Sequence, residues 1–305
     1  MSFEQLMEHA SEIRYLATKH AIEHNELDPE YARNGVDGYY EQLIEPLFKP
    51  FSDVPDPAEY QPMINDLDTA MRGISNGLTN DTVDKIPYLA NPTLAKITTA
   101  GGYLAEWTGE AARTFKAKFI DPFPSFTTNQ FILTLILKAA LEAHQAMWAS
   151  ARKDIDGIAH ATIDMFDNKC CDKNTWNVSF TVLSSIGAVG AAILTVATDG
   201  AAAPLALQVI GAAAQVGATL PPDSLSEPPK GGGSSALQIT NTMKAAIDQL
   251  TRVVQKAESE IAKHVEDISN VVHGHTAYFV AARPTLATLA KRDLTGERGL
   301  GEADR

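Results

Sequence analysis

Residues 243–268 read MKAAIDQLTRVVQKAESEIAKHVEDI, and this stretch decides the fold. Its apolar residues recur at alternating steps of four and three residues, with charged and polar residues between them. Such a repeat keeps one stripe of a helix facing a partner, as in a coiled-coil seam. We predict one very long helix from about Ala236 until Pro284, where proline stops it. The predicted seam comprises Met243, Ile247, Leu250, Val254, Ile261, His264 and Ile268.

Helical periodicity also dominates the rest of the chain. Apolar residues spaced three or four apart predict helices over roughly 2–25, 38–47, 57–78, 92–104 and 127–167. Ser2 is a candidate N-cap for the first of these helices. No segment shows the alternation of apolar and polar residues that marks a strand. The sequence therefore predicts an all-α fold, an elongated helical bundle with a central hydrophobic helical hairpin and a long C-terminal heptad helix.

Residues 174–222 have a different composition, rich in Ala, Gly, Val, Ile and Leu. Asp199 is the only charged residue between Lys173 and Asp223. Each half of the run has about 20 residues, which as a helix spans about 30 Å, the thickness of a bilayer core. Asp199-Gly200 suits the tight turn between the halves. The predicted membrane-insertion residues of this hairpin are Ile186, Val189, Ile193, Leu194, Val196, Asp199, Gly200, Leu205, Leu207, Val209 and Ile210.

Three interpretations of this hairpin stay open. In the first, the hairpin is covered in a soluble state and inserts on membrane contact. In the second it forms a permanently buried core, and in the third it spans a membrane constitutively. The high alanine share and the lack of aromatic belts favour a buried core, because alanine contributes little to insertion. Lys169, Lys173 and Lys230 supply only modest positive charge at the flanks of a membrane-spanning hairpin.

Composition divides the chain into five segments that pack as one helical domain. A short linker rich in Pro, Gly and Ser separates the hairpin from the long helix. The segments are an N-terminal helix and loop region at 1–56, a helical region at 57–173, the hairpin at 174–222, the linker at 223–235, and the long helix with its tail at 236–305.

Charge and cysteine usage exclude several classes of protein. The 25 Lys and Arg against 38 Asp and Glu give a net charge of −13, which argues against nucleic acid as a partner. Cys170 and Cys171 are adjacent, so they cannot normally pair with each other. Met1 to Gln5 lack the basic and apolar regions of a Sec signal peptide. We therefore expect a cytoplasmic protein or one exported by a route that does not read such a signal.

The histidines offer two patterns with chemical meaning. His20, Glu23 and His24 fit H-x-x-E-H, the inverted zinc-protease motif, in which two histidines bind zinc beside a glutamate base. A short pattern on a helix rich in Glu and His arises easily by chance, so an ordinary helix surface is favoured. His264 and His275 fall on the heptad seam, where they either fix register or loosen the helix when protonated near pH 6.

No further pattern indicates catalysis. The sequence has no phosphate-binding glycine loop and no G-x-S-x-G. We predict that the protein is not an enzyme, with no catalytic residue, no cofactor and no metal site.

Residues 107–115 read WTGEAARTF, and this W-x-G-x-A-A-x-x-F pattern resembles the WXG family of type VII (ESX) secretion substrates. In that family the tryptophan and glycine lie in the turn between two antiparallel helices. The residues that carry the resemblance are Trp107, Gly109 and Phe115, and Pro122 and Pro124 end the second helix early. The resemblance implies export without a cleaved signal peptide and pairing with a helical protein.

The layout of long helices around one hydrophobic hairpin resembles the α-helical pore-forming toxins of the cytolysin A type. We therefore predict a non-enzymatic, exported helical protein that inserts its hairpin into membranes, soluble at first and then membrane-associated. The predicted partners are a lipid membrane under some condition and a helical protein or a second copy, but not nucleic acid. The alternative is a type VII secretion substrate or chaperone that binds a helical partner without entering lipid.

Overall fold

The computed structural model describes residues 2–26, 31–77, 88–103, 109–167, 180–182 and 234–281. Within these ranges the chain consists of helices and turns without any strand, so the predicted all-α fold class is confirmed. Short 3-10 turns and one π-helical turn connect several of the helices. The α-helices are α1 (Phe3–Glu23), α2 (Tyr31–Phe48), α3 (Tyr60–Ile74), α4 (Pro92–Tyr103), α5 (Glu110–Phe115), α6 (Phe123–Asp167) and α7 (Ala236–Gly274).

Helix α1 begins with the cap that its sequence predicts. The Ser2 hydroxyl oxygen accepts the Gln5 N–H at 3.2 Å, and the Ser2 N–H donates to the Gln5 side chain at 2.8 Å. This reciprocal pair satisfies two N–H groups that a helix start otherwise leaves without partners. The apolar stripe behind the cap is fully buried and comprises Leu6, Ala10, Ile13, Ala17 and Ala21.

Helix α2 is longer than the predicted stretch over 38–47. Gly35 interrupts it near its start with φ +72° and ψ 166°, a backbone conformation that glycine adopts at no steric cost. Arg14 of α1 connects the two helices, because its Nη1 lies 2.9 Å from Glu45 Oε1 of α2.

Helix α6 starts at Phe123, earlier than the predicted Thr127, and ends at Asp167 as predicted. Pro124 fits the first turn, where a backbone N–H has no partner within the helix in any case. The helix before it ends in a π-helical turn at Lys116–Ile120. Gly101 of α4 faces this turn so closely that an added Cβ would lie 2.6 Å from the Ile120 side chain.

Helix α7 carries the predicted heptad seam, and the chain itself covers that seam. Every apolar member of the seam is at most 8% exposed, and His264 is half-buried. A second copy is therefore not needed to bury it. The buried members are Met243, Ile247, Leu250, Val254, Ile261 and Ile268.

The predicted end of this helix at Pro284 is wrong, because α7 ends at Gly274. His275 lies beyond the helix and is exposed, so it is not a seam residue. The chain turns at Thr276–Tyr278, and two side chains of α6 hold the turn. Asn129 Nδ2 donates to the Tyr278 carbonyl at 2.8 Å, and Gln130 Nε2 donates to the carbonyl of buried Phe279 at 2.7 Å.

The chain divides into two compact units, and α6 and α7 contribute residues to both. The first unit comprises Met1–Tyr60, Ala143–Ala188 and Thr219–Ile261, and the second comprises Gln61–Glu142, Val189–Ala218 and Ala262–Arg305. The second unit has a core built from α3, α6, α7 and the segments that follow α3 and α7. Its buried residues are Met71, Tyr88, Phe131, Ile132, Leu135, Ile136, Ala139, Ile268 and Phe279.

The predicted hairpin residues from Ile186 to Ile210 lie outside the described residues, as do Trp107, the two cysteines and most of the linker. Among the helices that the structure does describe, none has the length and apolar character needed to cross a membrane.

Candidate functional site

A buried carboxylate of α6 holds the start of the apolar run. Asp154 is 3% exposed, and its Oδ2 accepts the Thr181 N–H at 2.7 Å and the Val182 N–H at 3.3 Å. Its Oδ1 accepts the Thr181 hydroxyl at 2.9 Å. Phe180 and Val182 on either side are buried, at 8% and 0% exposure. The described residues of the apolar run are thus packed in the first unit and anchored by one side chain.

Asp154 binds these groups at an electrostatic cost. Burial raises the pKa of its carboxyl above 3.8, because the charged form loses its hydration. The hydrogen bonds from Thr181 and Val182 and the charge of Lys153 act in the opposite direction without cancelling the effect of burial. The anchor is therefore held by oriented neutral donors rather than by an ion pair.

A second carboxylate holds the far side of the run, where α7 begins. Both oxygens of Glu26 lie 3.0 Å from the Ala236 backbone nitrogen, and so accept its N–H. A carboxylate at a helix N-terminus satisfies a free N–H and interacts favourably with the helix dipole. His20 Nδ1 lies 3.0 Å from Glu26 Oε1 and fixes this side chain in turn. We call Asp154 and Glu26 the two anchors, since they hold the chain before and after residues 183–233.

The H-x-x-E-H pattern does not form a three-ligand metal site in the described part of the chain. The rings of His20 and His24 stack with their centroids 4.1 Å apart. His24 Nδ1 lies 3.0 Å from the His20 carbonyl, while His20 Nδ1 faces Glu26. Glu23 is exposed to solvent. His20 therefore supports the Glu26 anchor directly, and His24 packs against His20.

Three other side chains do meet the geometry of a metal site. Among the described residues, His9 of α1 and Asp156 and His160 of α6 form the one group whose ligating atoms all lie within 4.8 Å of one another. His9 Nδ1 and His160 Nδ1 lie 3.5 Å and 3.4 Å from Asp156 Oδ1. The two rings meet edge to face with a centroid separation of 4.5 Å. We call these residues the His9 cluster.

A further histidine of α6 packs in the first unit. The His144 ring stacks on Tyr60 at a centroid separation of 6.0 Å and an interplanar angle of 9°. Burial lowers the pKa of His144 below 6.5, and the charge of Glu258 on α7 opposes this effect without cancelling it. The neutral imidazole is therefore the form that this packing favours.

The WXG-like residues are described in part. Gly109 has an extended backbone, φ −63° and ψ 152°, and is the N-cap of α5. The Phe115 ring stacks on Phe119 with centroids 5.1 Å apart. The glycine therefore stands directly before a helix, while Trp107 lies outside the described residues.

Searches for known relatives found no match among protein-family models, curated proteins or solved structures. The resemblances to the WXG family and to cytolysin A-type toxins therefore remain predictions from sequence.

Sequence reasoning missed the two anchors and the His9 cluster. Asp156 and His160 are four residues apart on one helix, a spacing that brings two side chains to the same face. That local signal was available, but nothing in the sequence connects it to His9. The anchors gave no signal, because Asp154 and Glu26 look like ordinary acidic residues of helix surfaces and ends.

Proposed function

We propose that this protein is a non-enzymatic, exported helical protein that inserts the apolar run at 174–222 into membranes, as a pore-forming or toxin-like component. One observation carries the proposal. The described residues of this run, 180–182, are packed against the protein, and Phe180 and Val182 are buried. Hydrogen bonds to Asp154 hold them there, so the fold keeps part of the run covered. The run contains a single charged residue, Asp199, and this apolar composition supports insertion into a bilayer as the alternative to burial in the protein.

The mechanism is a shift between two populations. In the soluble state, apolar surface of the run is buried against the protein, and a bilayer offers a competing burial for the same surface. At about 25 cal/mol per Å2 of apolar surface, either environment stabilises such a run by many kcal/mol. The two anchors add specific hydrogen bonds to the soluble state, and insertion requires at least the Asp154 anchor to open.

His144 and Asp154, both in the first unit, respond to acid in opposite ways. Because burial raises the pKa of Asp154, the anchored state binds a proton more tightly than a released, hydrated carboxyl, so acid does not open this anchor. Because burial lowers the pKa of His144, the stability that its packing contributes is lost as pH falls through 6.5 towards the folded-state pKa. Loss of this packing weakens the first unit, which holds the anchored residues 180–182 of the run, so we expect stronger insertion at pH 5 than at pH 8.

Dye release from liposomes tests the proposal. Wild-type protein is added to anionic and to zwitterionic vesicles between pH 5 and pH 8, and we expect dye release that increases towards pH 5. Ile193→Asp combined with Val209→Asp places two charges in the run and should abolish release, since each charge at a bilayer centre costs about 2.5–3.5 kcal/mol. Ile193→Val combined with Val209→Ile is the matched control and should release dye as the wild type does.

Two outcomes contradict the proposal. Wild-type protein that releases no dye from either kind of vesicle across this pH range does not insert its run. Release that is equal for the aspartate pair and the matched control arises from another part of the chain.

The second candidate function is a type VII secretion substrate or chaperone that binds a helical partner. The observation that favours it is the position of Gly109, which has an extended backbone and stands directly before α5, while α4 ends at Tyr103. Leu89 and Tyr103 in this region are 82% and 78% exposed, so they are available to a partner. Co-purification of a small helical protein that is lost in Trp107→Ala would support this function, and unchanged pairing and export in that variant would contradict it.

A further inference from the structure

The His9 cluster contains a buried ring nitrogen, His9 Nδ1, that a bound ligand could satisfy. His9 Nδ1 is shielded from solvent and has no hydrogen-bond partner among the residues that the structure describes. Its nearest acidic atom, Asp156 Oδ1, is 3.5 Å away. A buried polar atom without a partner costs about 1–3 kcal/mol, so such atoms are rare without a reason. A bound cation beside Asp156 would supply the missing interaction.

The spacing of the donors fits a tetrahedral metal ion. Ligands at 2.0–2.1 Å from a tetrahedral zinc ion lie about 3.3–3.4 Å from one another. The two imidazole nitrogens lie 3.5 Å and 3.4 Å from the shared Asp156 oxygen. Both histidine-to-aspartate distances therefore match a metal ion of this size, and the ligating atoms of all three side chains lie within 4.8 Å of one another.

The donor set selects the class of metal. Two imidazoles and one carboxylate suit Zn2+ and the neighbouring transition metals, whereas Ca2+ and Mg2+ prefer oxygen ligands alone. Three protein ligands leave the fourth position of a tetrahedral ion to water.

One existing contact competes with the metal. His160 Nδ1 lies 3.0 Å from the Asp156 carbonyl oxygen of its own helix, as expected for a hydrogen bond from a protonated nitrogen. Coordination through Nδ1 replaces this bond and requires the proton to leave. The His160 side chain is 58% exposed, so water can satisfy the released carbonyl.

We propose that His9, Asp156 and His160 bind one divalent transition-metal ion, Zn2+ by preference, with water as the fourth ligand. The ion connects α1 to α6 and stabilises the first unit, independently of whether the apolar run enters a membrane. Binding to the folded state alone raises stability by RT ln(1 + [L]/Kd), so the metal raises the melting temperature in a concentration-dependent way.

Zn2+ titration of the full chain, followed by calorimetry and by thermal unfolding, tests this assignment. Metal-free wild type should bind one equivalent of Zn2+ and melt at a higher temperature with it. His160→Gln removes an exposed ligand without disturbing the core, and should weaken binding more than about 100-fold, because even changes behind the ligands cost about 10–100-fold. His9→Gln and Asp156→Asn should act in the same direction.

His24→Gln is the matched control, since His24 is the C-cap of α1 and, like His160, has an acidic or histidine side chain four residues before it, here His20. This variant should keep one equivalent of Zn2+ at wild-type affinity. Absence of stoichiometric binding in the wild type overturns the proposal, and so does wild-type binding in a folded His160→Gln protein. Loss of binding in His24→Gln alone would assign the metal to His20 and His24 instead.

Discussion

Asp154 in the first unit is buried and Asp68 in the second is half-buried. Their pKa values are shifted in opposite directions. Burial raises the pKa of Asp154 above 3.8 despite three hydrogen bonds. Burial opposes ionisation of Asp68 too, but hydrogen bonds from Tyr88 and Arg72 and the charges of Arg72 and Lys138 outweigh it, so its pKa is lowered. Tyr88 Oη lies 2.5 Å from Asp68 Oδ1, and Arg72 Nε lies 2.8 Å from Oδ2.

The difference lies in the charge of the partners. Within the described part of the chain, the direct donors to Asp154 are two backbone N–H groups and a hydroxyl, all neutral. Around Asp68 one direct donor is a guanidinium, and the ammonium group of buried Lys138 acts on it through space. Neutral donors orient a buried carboxylate, whereas cations also compensate its lost hydration. Asp68 is therefore suited to permanent structure, and Asp154 to a contact that can open.

Asp154→Ala should have the largest effect on stability. It leaves the Thr181 and Val182 N–H groups without their acceptor, and each buried donor without a partner costs about 1–3 kcal/mol. We expect the free energy of unfolding to fall by about 2–6 kcal/mol in urea titrations at pH 7.

Thr181→Val is the control for this variant. It removes the hydroxyl bond at 2.9 Å but keeps both backbone bonds. It should cost about 1.5–3 kcal/mol, the value of one hydrogen bond to a charged group, and less than Asp154→Ala because both backbone N–H groups keep their acceptor. A cost for Asp154→Ala no larger than that of Thr181→Val would show that the anchor contributes little.

Tyr88→Phe should have the next largest effect. The Tyr88 ring stays in the core beside Phe131, at a centroid distance of 5.1 Å, while the hydroxyl bond to Asp68 and the longer contact with Met71 Sδ at 3.9 Å are lost. A hydrogen bond to a charged group contributes about 1.5–3 kcal/mol. Urea titration at pH 7 measures the loss, and a Tyr88→Phe protein of wild-type stability would remove Tyr88 from the explanation of the Asp68 pKa.

The fold was largely predictable because the helices follow local patterns. Ser2, the α1 stripe and the seam of α7 were all readable from spacing alone. The end of α7 was not, since apolar residues continue beyond Gly274 and the turn there depends on Asn129 and Gln130. Those two side chains are far away in sequence, and no local pattern records their hydrogen bonds.

The candidate sites were harder to predict for the same reason. Asp154 and Thr181 are 27 residues apart, and Glu26 and Ala236 are 210 apart. An acidic residue on a helix gives no indication that its partner is a backbone N–H from a distant segment. His9 and His160 likewise belong to different helices, so only the folded chain brings them together.

The opposite pKa shifts of the two carboxylates should also appear as opposite pH trends, smaller than the effects above. Stability is measured between pH 3 and pH 6 for wild type, Asp154→Asn and Asp68→Asn, and each variant is subtracted from wild type so that other titrating groups cancel. The contribution of Asp154 should grow as pH falls from its raised folded-state pKa towards 3.8, because the folded state binds the proton more tightly. The contribution of Asp68 is present above 3.8 and should shrink as pH falls below it towards the lowered folded-state pKa. Two differences that change in the same direction with pH would show that the charge of the partners does not set these pKa values.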